Sequence, residues 1–111
     1  MPDALNYSRN FASKVVANTA DDIFTLSTGV LRNLVILVSN TTASAATLDG
    51  WLIPSGGSAA DSNKFLDGYS IAGNTHAEIP VPKMVAGDKL TLQASASSTL
   101  TVFDHDSVTR L

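Results

Sequence analysis

Apolar and polar positions alternate along most of this chain with the two-residue period of a half-buried strand. The pattern is cleanest over Lys89–Ser95, where Leu90, Leu92 and Ala94 share one face and Lys89, Thr91, Gln93 and Ser95 the other. Leu100 and Val102 likewise oppose Thr101 and Phe103, and in Asp22–Ser27 Phe24 and Leu26 share a face with Asp22. This reading predicts strands at Ala12–Ala17, Asp22–Ser27, Val30–Ser39, Thr47–Ile53, Lys64–Ala72, Thr75–Ile79, Lys89–Ser95 and Leu100–Asp104. Turn residues separate them: Ser27-Thr28-Gly29, Pro54–Asn63, Gly73-Asn74, Ala86-Gly87-Asp88 and Ala96–Thr99. No segment reads as a helix beyond a single turn at Ser58–Asn63. Short strands with regular turn signals predict an all-β fold, a single antiparallel β-sandwich of jelly-roll type.

Three places depart from simple alternation. In Val30–Val38, Leu31, Val35 and Leu37 fall on one face and Leu34, Ile36 and Val38 on the other. Both faces of that strand then need cover, from a loop, the N-terminal segment or another subunit. In Thr47–Ile53, if Leu48 and Leu52 face the core, parity puts Trp51 and Ile53 on the outer face. An exposed Trp there would anchor an interface; a buried one would be core. Residues 1–13 are polar and aperiodic, and read either as a disordered terminus or as an arm ordered on a neighbour, with Leu5, Tyr7 and Phe11 as alternate anchors. The domain proper is expected over 14–111.

Composition narrows the function. The 111 residues suffice for one domain with its own core. Ser and Thr supply 24 residues and Ala 14, whereas Glu occurs once. Charged residues are only 15% of the chain, so little charge needs desolvating when this surface meets another protein. The net charge of −3, with scattered basic residues, disfavours nucleic-acid binding. With no Cys, disulfides and thiolate chemistry are excluded. The longest apolar run, Leu34–Val38, is far short of the roughly 20 residues that span a bilayer, and the first residues lack the apolar core of a secretory signal. No membrane partner is expected, and synthesis in a cytoplasm is.

Catalytic signatures are weak. Asp104-His105-Asp106 is the one acid/His cluster, and on a regular strand His105 points away from both carboxylates, as at a solvated strand end. His76 and Glu78 lie two apart and share a face, but nothing in their spacing marks a metal site. Ser55-Gly56-Gly57-Ser58 lacks the Lys of a phosphate loop and reads as a flexible connection. No enzyme activity and no cofactor are expected.

A further clue lies in a string of turn-and-strand signatures. Thr28-Gly29 precedes an apolar strand ending Val38-Ser39-Asn40-Thr41-Thr42. A second strand closes on Ile53-Pro54-Ser55-Gly56-Gly57-Ser58-Ala59-Ala60-Asp61. Met84-Val85-Ala86-Gly87-Asp88-Lys89-Leu90 and Leu92-Gln93-Ala94-Ser95-Ala96-Ser97 follow. Over roughly residues 20 to 103 this pattern resembles small tailed-bacteriophage virion proteins of the capsid decoration (cement) and head accessory type. Gly50, in mid-strand, departs from it and implies a bulge or a close backbone approach; so does the charged Asp104–Leu111 end. The resemblance implies a homotrimer on the outer capsid surface that bridges major capsid protein subunits. Its contacts are expected from the arm (Leu5, Tyr7, Phe11) and from Trp51 and Ile53. A tail, baseplate or fibre component is the alternative. A carbohydrate-binding module is a more distant one, which would need Trp51 and Tyr69 on one platform.

Overall fold

The computed structural model describes residues 5–110, so the first four residues of the expected arm and the last residue of the domain lie outside the described residues. Ten strands form: β1 (Leu5–Asn6), β2 (Ser13–Val15), β3 (Asp21–Thr25), β4 (Val30–Asn40), β5 (Ala46–Ile53), β6 (Lys64–Ile71), β7 (Thr75–Pro80), β8 (Met84–Val85), β9 (Lys89–Ala94) and β10 (Leu100–Arg110). All eight expected strands are present within a few residues of their expected ends. β1 and β8, each two residues long, are too short to leave a periodic signature. β10 runs six residues beyond the expected Asp104, because its Asp-His-Asp segment continues the ladder where a strand end is expected.

The strands make a β-sandwich of two antiparallel sheets. One has six strands, with β1 and β2 on one side of β10, β4 in the centre, and β7 and β8 beyond it. The other has four, in the order β3-β9-β5-β6. Among the described strands only β5 and β6 are both consecutive and paired; β1–β2 and β7–β8 stay within the six-stranded sheet without pairing, and the other connections cross from one sheet to the other. Core side chains come from both layers, among them Leu34, Ile36, Val38 and Val102 from the six-stranded sheet and Leu48, Leu90 and Leu92 from the four-stranded one. Burying such side chains contributes roughly 1.5–3 kcal/mol each. At one open edge Lys14 of β2 reaches across the layers to the Asp21 carboxylate at 3.1 Å and the Asp22 carbonyl at 2.8 Å.

Two bulges overturn the expected parity of the central pair. Arg32 of β4 faces Val108 of β10, yet the next matched pair is Val35 with Asp106, so β4 carries one residue more than its partner. Asn33 absorbs this with a φ of 56°, a left-handed conformation that Asn tolerates better than most residues. Leu31 thereby joins Leu34, Ile36 and Val38 in the core, and the outer face keeps only Val30, Val35 and Leu37 as apolar residues of this strand. In β10 the extra residue lies between Asp104 and Asp106. Asp104 is therefore buried while His105 and Asp106 face solvent, and Ser107 and Thr109 return inside. Asp104 is no solvated strand end: its Oδ2 accepts hydrogen bonds from the Asn10 backbone N–H at 2.8 Å, the Asn10 side chain at 3.2 Å and the Ser107 hydroxyl at 3.2 Å. That triad holds the N-terminal segment against its own sheet.

Gly50 has the close approach its position implies. A Cβ there would stand 3.1 Å from the Phe65 ring, and the β5–β6 register shifts on either side of it. Gly73 brings two loops together still more tightly, since a Cβ on it would overlap the Ala43 carbonyl in the β4–β5 connection.

Candidate functional site

The outer face of the six-stranded sheet carries most of the exposed apolar surface. Register pairs place Val15, Thr101, Ser39 and His76 in one row across it, and Ser13, Phe103, Leu37 and Glu78 in the next. A third row runs from Asp106 through Val35 to Pro80. At the far end Leu5, Arg110, Val30 and Val85 form another. Val15 is 55% exposed, Leu5 47% and Val85 45%, while Phe103, Leu37, Val35 and Val30 are half-buried. Three of the five large apolar residues exposed among the described residues therefore fall on one sheet face, the others being Tyr7 and Tyr69. Exposed patches of this kind are characteristic of protein contact surfaces.

His105 and Glu78 straddle the central strand on this face, with imidazole Nε2 3.3 Å from the carboxylate Oε1. Glu78 is thus engaged with the histidine of β10, although sequence spacing pairs it with His76. Among the described residues no three His, Cys, Asp or Glu side chains converge in a way that could hold a metal ion.

The expected contact residues divide. Leu5 is exposed on the apolar face just described, but its strand pairs with β10 of the same chain and does not extend away. Tyr7 is exposed as well. Phe11 instead turns inward and stacks on Phe24, ring centroids 5.4 Å apart, at the margin of the core.

Trp51 and Ile53 lie opposite Thr91 and Lys89 on the outer face of the four-stranded sheet, away from the main core. Neither reaches the surface, with exposures of 8% and 3%. The connection after β5 folds back over them. Gly57 sits close enough that a Cβ on it would contact Ile53, and the 3-10 turn Asp61–Asn63 packs on β5. Lys64 then places its ammonium 5.3 Å from the Trp51 ring centroid. The Lys64 pKa is raised above the ordinary lysine value, first by its hydrogen bond to Asp67 and also by the Asp49, Asp67 and Asp61 charges, so the cation persists over the ring at neutral pH. Read as surface anchors, Trp51 and Ile53 are therefore corrected: both are buried within the chain itself, Ile53 against the Gly/Ser connection expected to be flexible and Trp51 beneath Lys64. Tyr69 is exposed while Trp51 is covered, so the two make no sugar-stacking platform.

Sequence reasoning missed Val15, Val35, Leu37 and Phe103 as site residues. The signal was present in the two-faced apolar pattern of Val30–Val38, but resolving it required knowing which residue bulges.

Two open cavities accompany these faces. One of 290 Å³ is lined by polar groups including Asn40, Asn74 and His76. The other, of 390 Å³, opens beside the β4 bulge between Arg32, Asn33, Lys83 and Asp106, over a floor that includes Leu34 and Pro80. No protein-family model, curated protein or solved structure matches the chain.

Proposed function

We propose that this protein is a non-enzymatic structural protein of a tailed-bacteriophage virion, of the capsid decoration type. It binds the outer surface of the assembled capsid and bridges major capsid protein subunits. The observation that carries the reading is the apolar outer face of the six-stranded sheet, where Val15, Leu37, Phe103 and Val85 lie among Ser13, Ser39 and Thr101 and the Glu78 carboxylate is paired with His105. Such a surface loses little charge hydration on docking. The strand order supports it too. Eight principal strands divide as β2-β10-β4-β7 and β3-β9-β5-β6 with repeated crossing between layers, an arrangement that supports a jelly-roll reading of the kind used by viral capsid domains. Sequence signatures over residues 20 to 103 resemble the same class.

The energetics suit the role. Modest affinity per copy is enough when the sites repeat over a lattice and one copy, or a homotrimer, spans two subunits. A clip that binds only the assembled state stabilises that state by linkage.

Co-sedimentation with emptied capsids tests the reading. Wild-type protein is expected to saturate the particles at high copy number, distributed over the whole lattice. Val15→Lys and Leu37→Lys are each expected to weaken binding by at least about tenfold while the fold is retained. Undiminished binding by both variants would remove this face from the contact. Occupancy confined to one vertex would instead place the protein in the tail, baseplate or fibre.

A further inference from the structure

We infer that the 390 Å³ cavity beside the β4 bulge is a receptor for a carboxylate side chain on an extended segment of a protein partner. The inference concerns the chemistry of whatever docks on the apolar sheet face, and it stands for any protein partner, capsid or not.

Among the described residues Lys14 pairs with Asp21, Lys64 with Asp49 and Asp67, and Lys89 with Asp22. Arg32 and Lys83 have no carboxylate within 4.0 Å, and both line this one cavity. They come from separate elements, Arg32 from the bulged stretch of β4 and Lys83 from the link between β7 and β8. In a chain of net charge −3, two unpaired cations brought to one concavity form a localised positive site on an otherwise acidic molecule.

The backbone explains why the cavity exists. β4 exchanges β7 for β8 as a partner here, pairing Val35 with Pro80 and then Leu31 with Met84. Between those points a single hydrogen bond, Val81 N–H to the Leu34 carbonyl at 2.8 Å, continues the contact. On the other side the bulge leaves Asn33 unmatched in β10. The ladder is open on both sides of Asn33, and its left-handed φ of 56° turns Arg32 and Asn33 outward together. Bulges commonly re-aim side chains in this way beside functional sites.

The lining selects the ligand. A guanidinium and an ammonium in the lining of one cavity suit a carboxylate, and the apolar Leu34, Val35, Pro80 and Val81 of the same lining suit the methylenes that carry it. The cavity lies between the Val15–Phe103–Leu37 rows and the Leu5–Val30–Val85 row, so an acidic side chain flanked by apolar residues matches the whole face. Asp106 lines the opposite wall and opposes any anion there. That opposition gives the site a signature that a purely structural role lacks.

The test is an amide chemical-shift titration of the full chain with the acetylated, amidated peptide Ala-Val-Glu-Val-Ala, its Gln counterpart and inorganic phosphate. The Glu peptide is expected to shift the Arg32, Asn33 and Lys83 amides saturably, with a Kd on the order of 1 mM. The Gln peptide is expected to leave them unmoved. Combined Arg32→Ala and Lys83→Ala should weaken binding by about tenfold or more, and Asp106→Asn should tighten it by about threefold. All three substituted residues are exposed, so the variants retain the fold. Equal binding of the Gln peptide, indifference to the double substitution, or phosphate displacing the Glu peptide would each overturn the assignment. No capsid enters this titration, so its failure leaves the capsid reading to its own sedimentation test.

Discussion

Asn40→Asp is expected to destabilise the protein by about 3–5 kcal/mol at neutral pH, although it exchanges one NH₂ for one oxygen. Asn40 is 1% exposed and ends β4. Its Nδ2 donates to the Ser44 carbonyl at 2.9 Å and the Ile71 carbonyl at 3.0 Å. Its Oδ1 accepts from the Thr42 N–H at 3.0 Å and the Thr42 hydroxyl at 2.7 Å. One amide thus shapes the β4–β5 turn and ties it to the end of β6. A carboxylate keeps the two accepted bonds but turns a bare charged oxygen toward two carbonyls.

The sign of the pH dependence follows. The protonated acid can donate to one carbonyl, so the folded state raises this carboxyl's pKa above its unfolded value. The variant is least impaired below the unfolded pKa and loses stability as pH rises through the folded one. Urea unfolding of variant and wild type, followed by circular dichroism at acid and neutral pH, measures the difference. A penalty under about 1 kcal/mol with no pH dependence would show that the turn does not rely on this amide.

Trp51→Ala is expected to lower stability by a similar amount, about 3–5 kcal/mol, and to leave the oligomeric mass unchanged. The ring is buried within the single chain, with Lys64 over it, so its removal opens a void within the protomer. Trp51→Phe, which keeps the apolar roof contacts, should cost under about 1.5 kcal/mol. Chemical denaturation and light scattering together decide the matter. A small stability loss accompanied by a change in mass would return Trp51 to an intermolecular interface.

These residues mark where the sequence was legible. Alternation in Lys89–Ala94 and in Thr47–Ile53 placed Leu90, Leu92 and Leu48 in the core, and parity put Trp51 on the outer face. Parity reports direction and says nothing of cover. Whether Pro54–Asn63 lies over the ring depends on tertiary contacts among small residues that carry no periodic signal. The bulges at Asn33 and His105 were equally hidden, since one inserted residue leaves a run such as Val30–Val38 apolar either way. Their consequences were large: Leu31 moved inside, Asp104 was buried, and the Arg32–Lys83 cavity opened. Neither cation stood out in sequence, because Arg32 and Lys83 are 51 positions apart and meet only where β4 exchanges β7 for β8.

β10 sets the timetable of folding. It is the last of the described strands in chain order; β1 and β2 pair with it alone, and β4 takes it as one of its partners. The four-stranded sheet has all its members once residue 94 has emerged, whereas the larger sheet must join residues as distant as Leu5 and Arg110. Pairings that remote in sequence close slowly. A nascent chain halted before β10 would carry a finished smaller layer and a bare apolar edge along β4, a species open to strand exchange with its neighbours. The docking face comes into being only when β10 pairs with β4, so the larger sheet and the surface it offers are completed in one step.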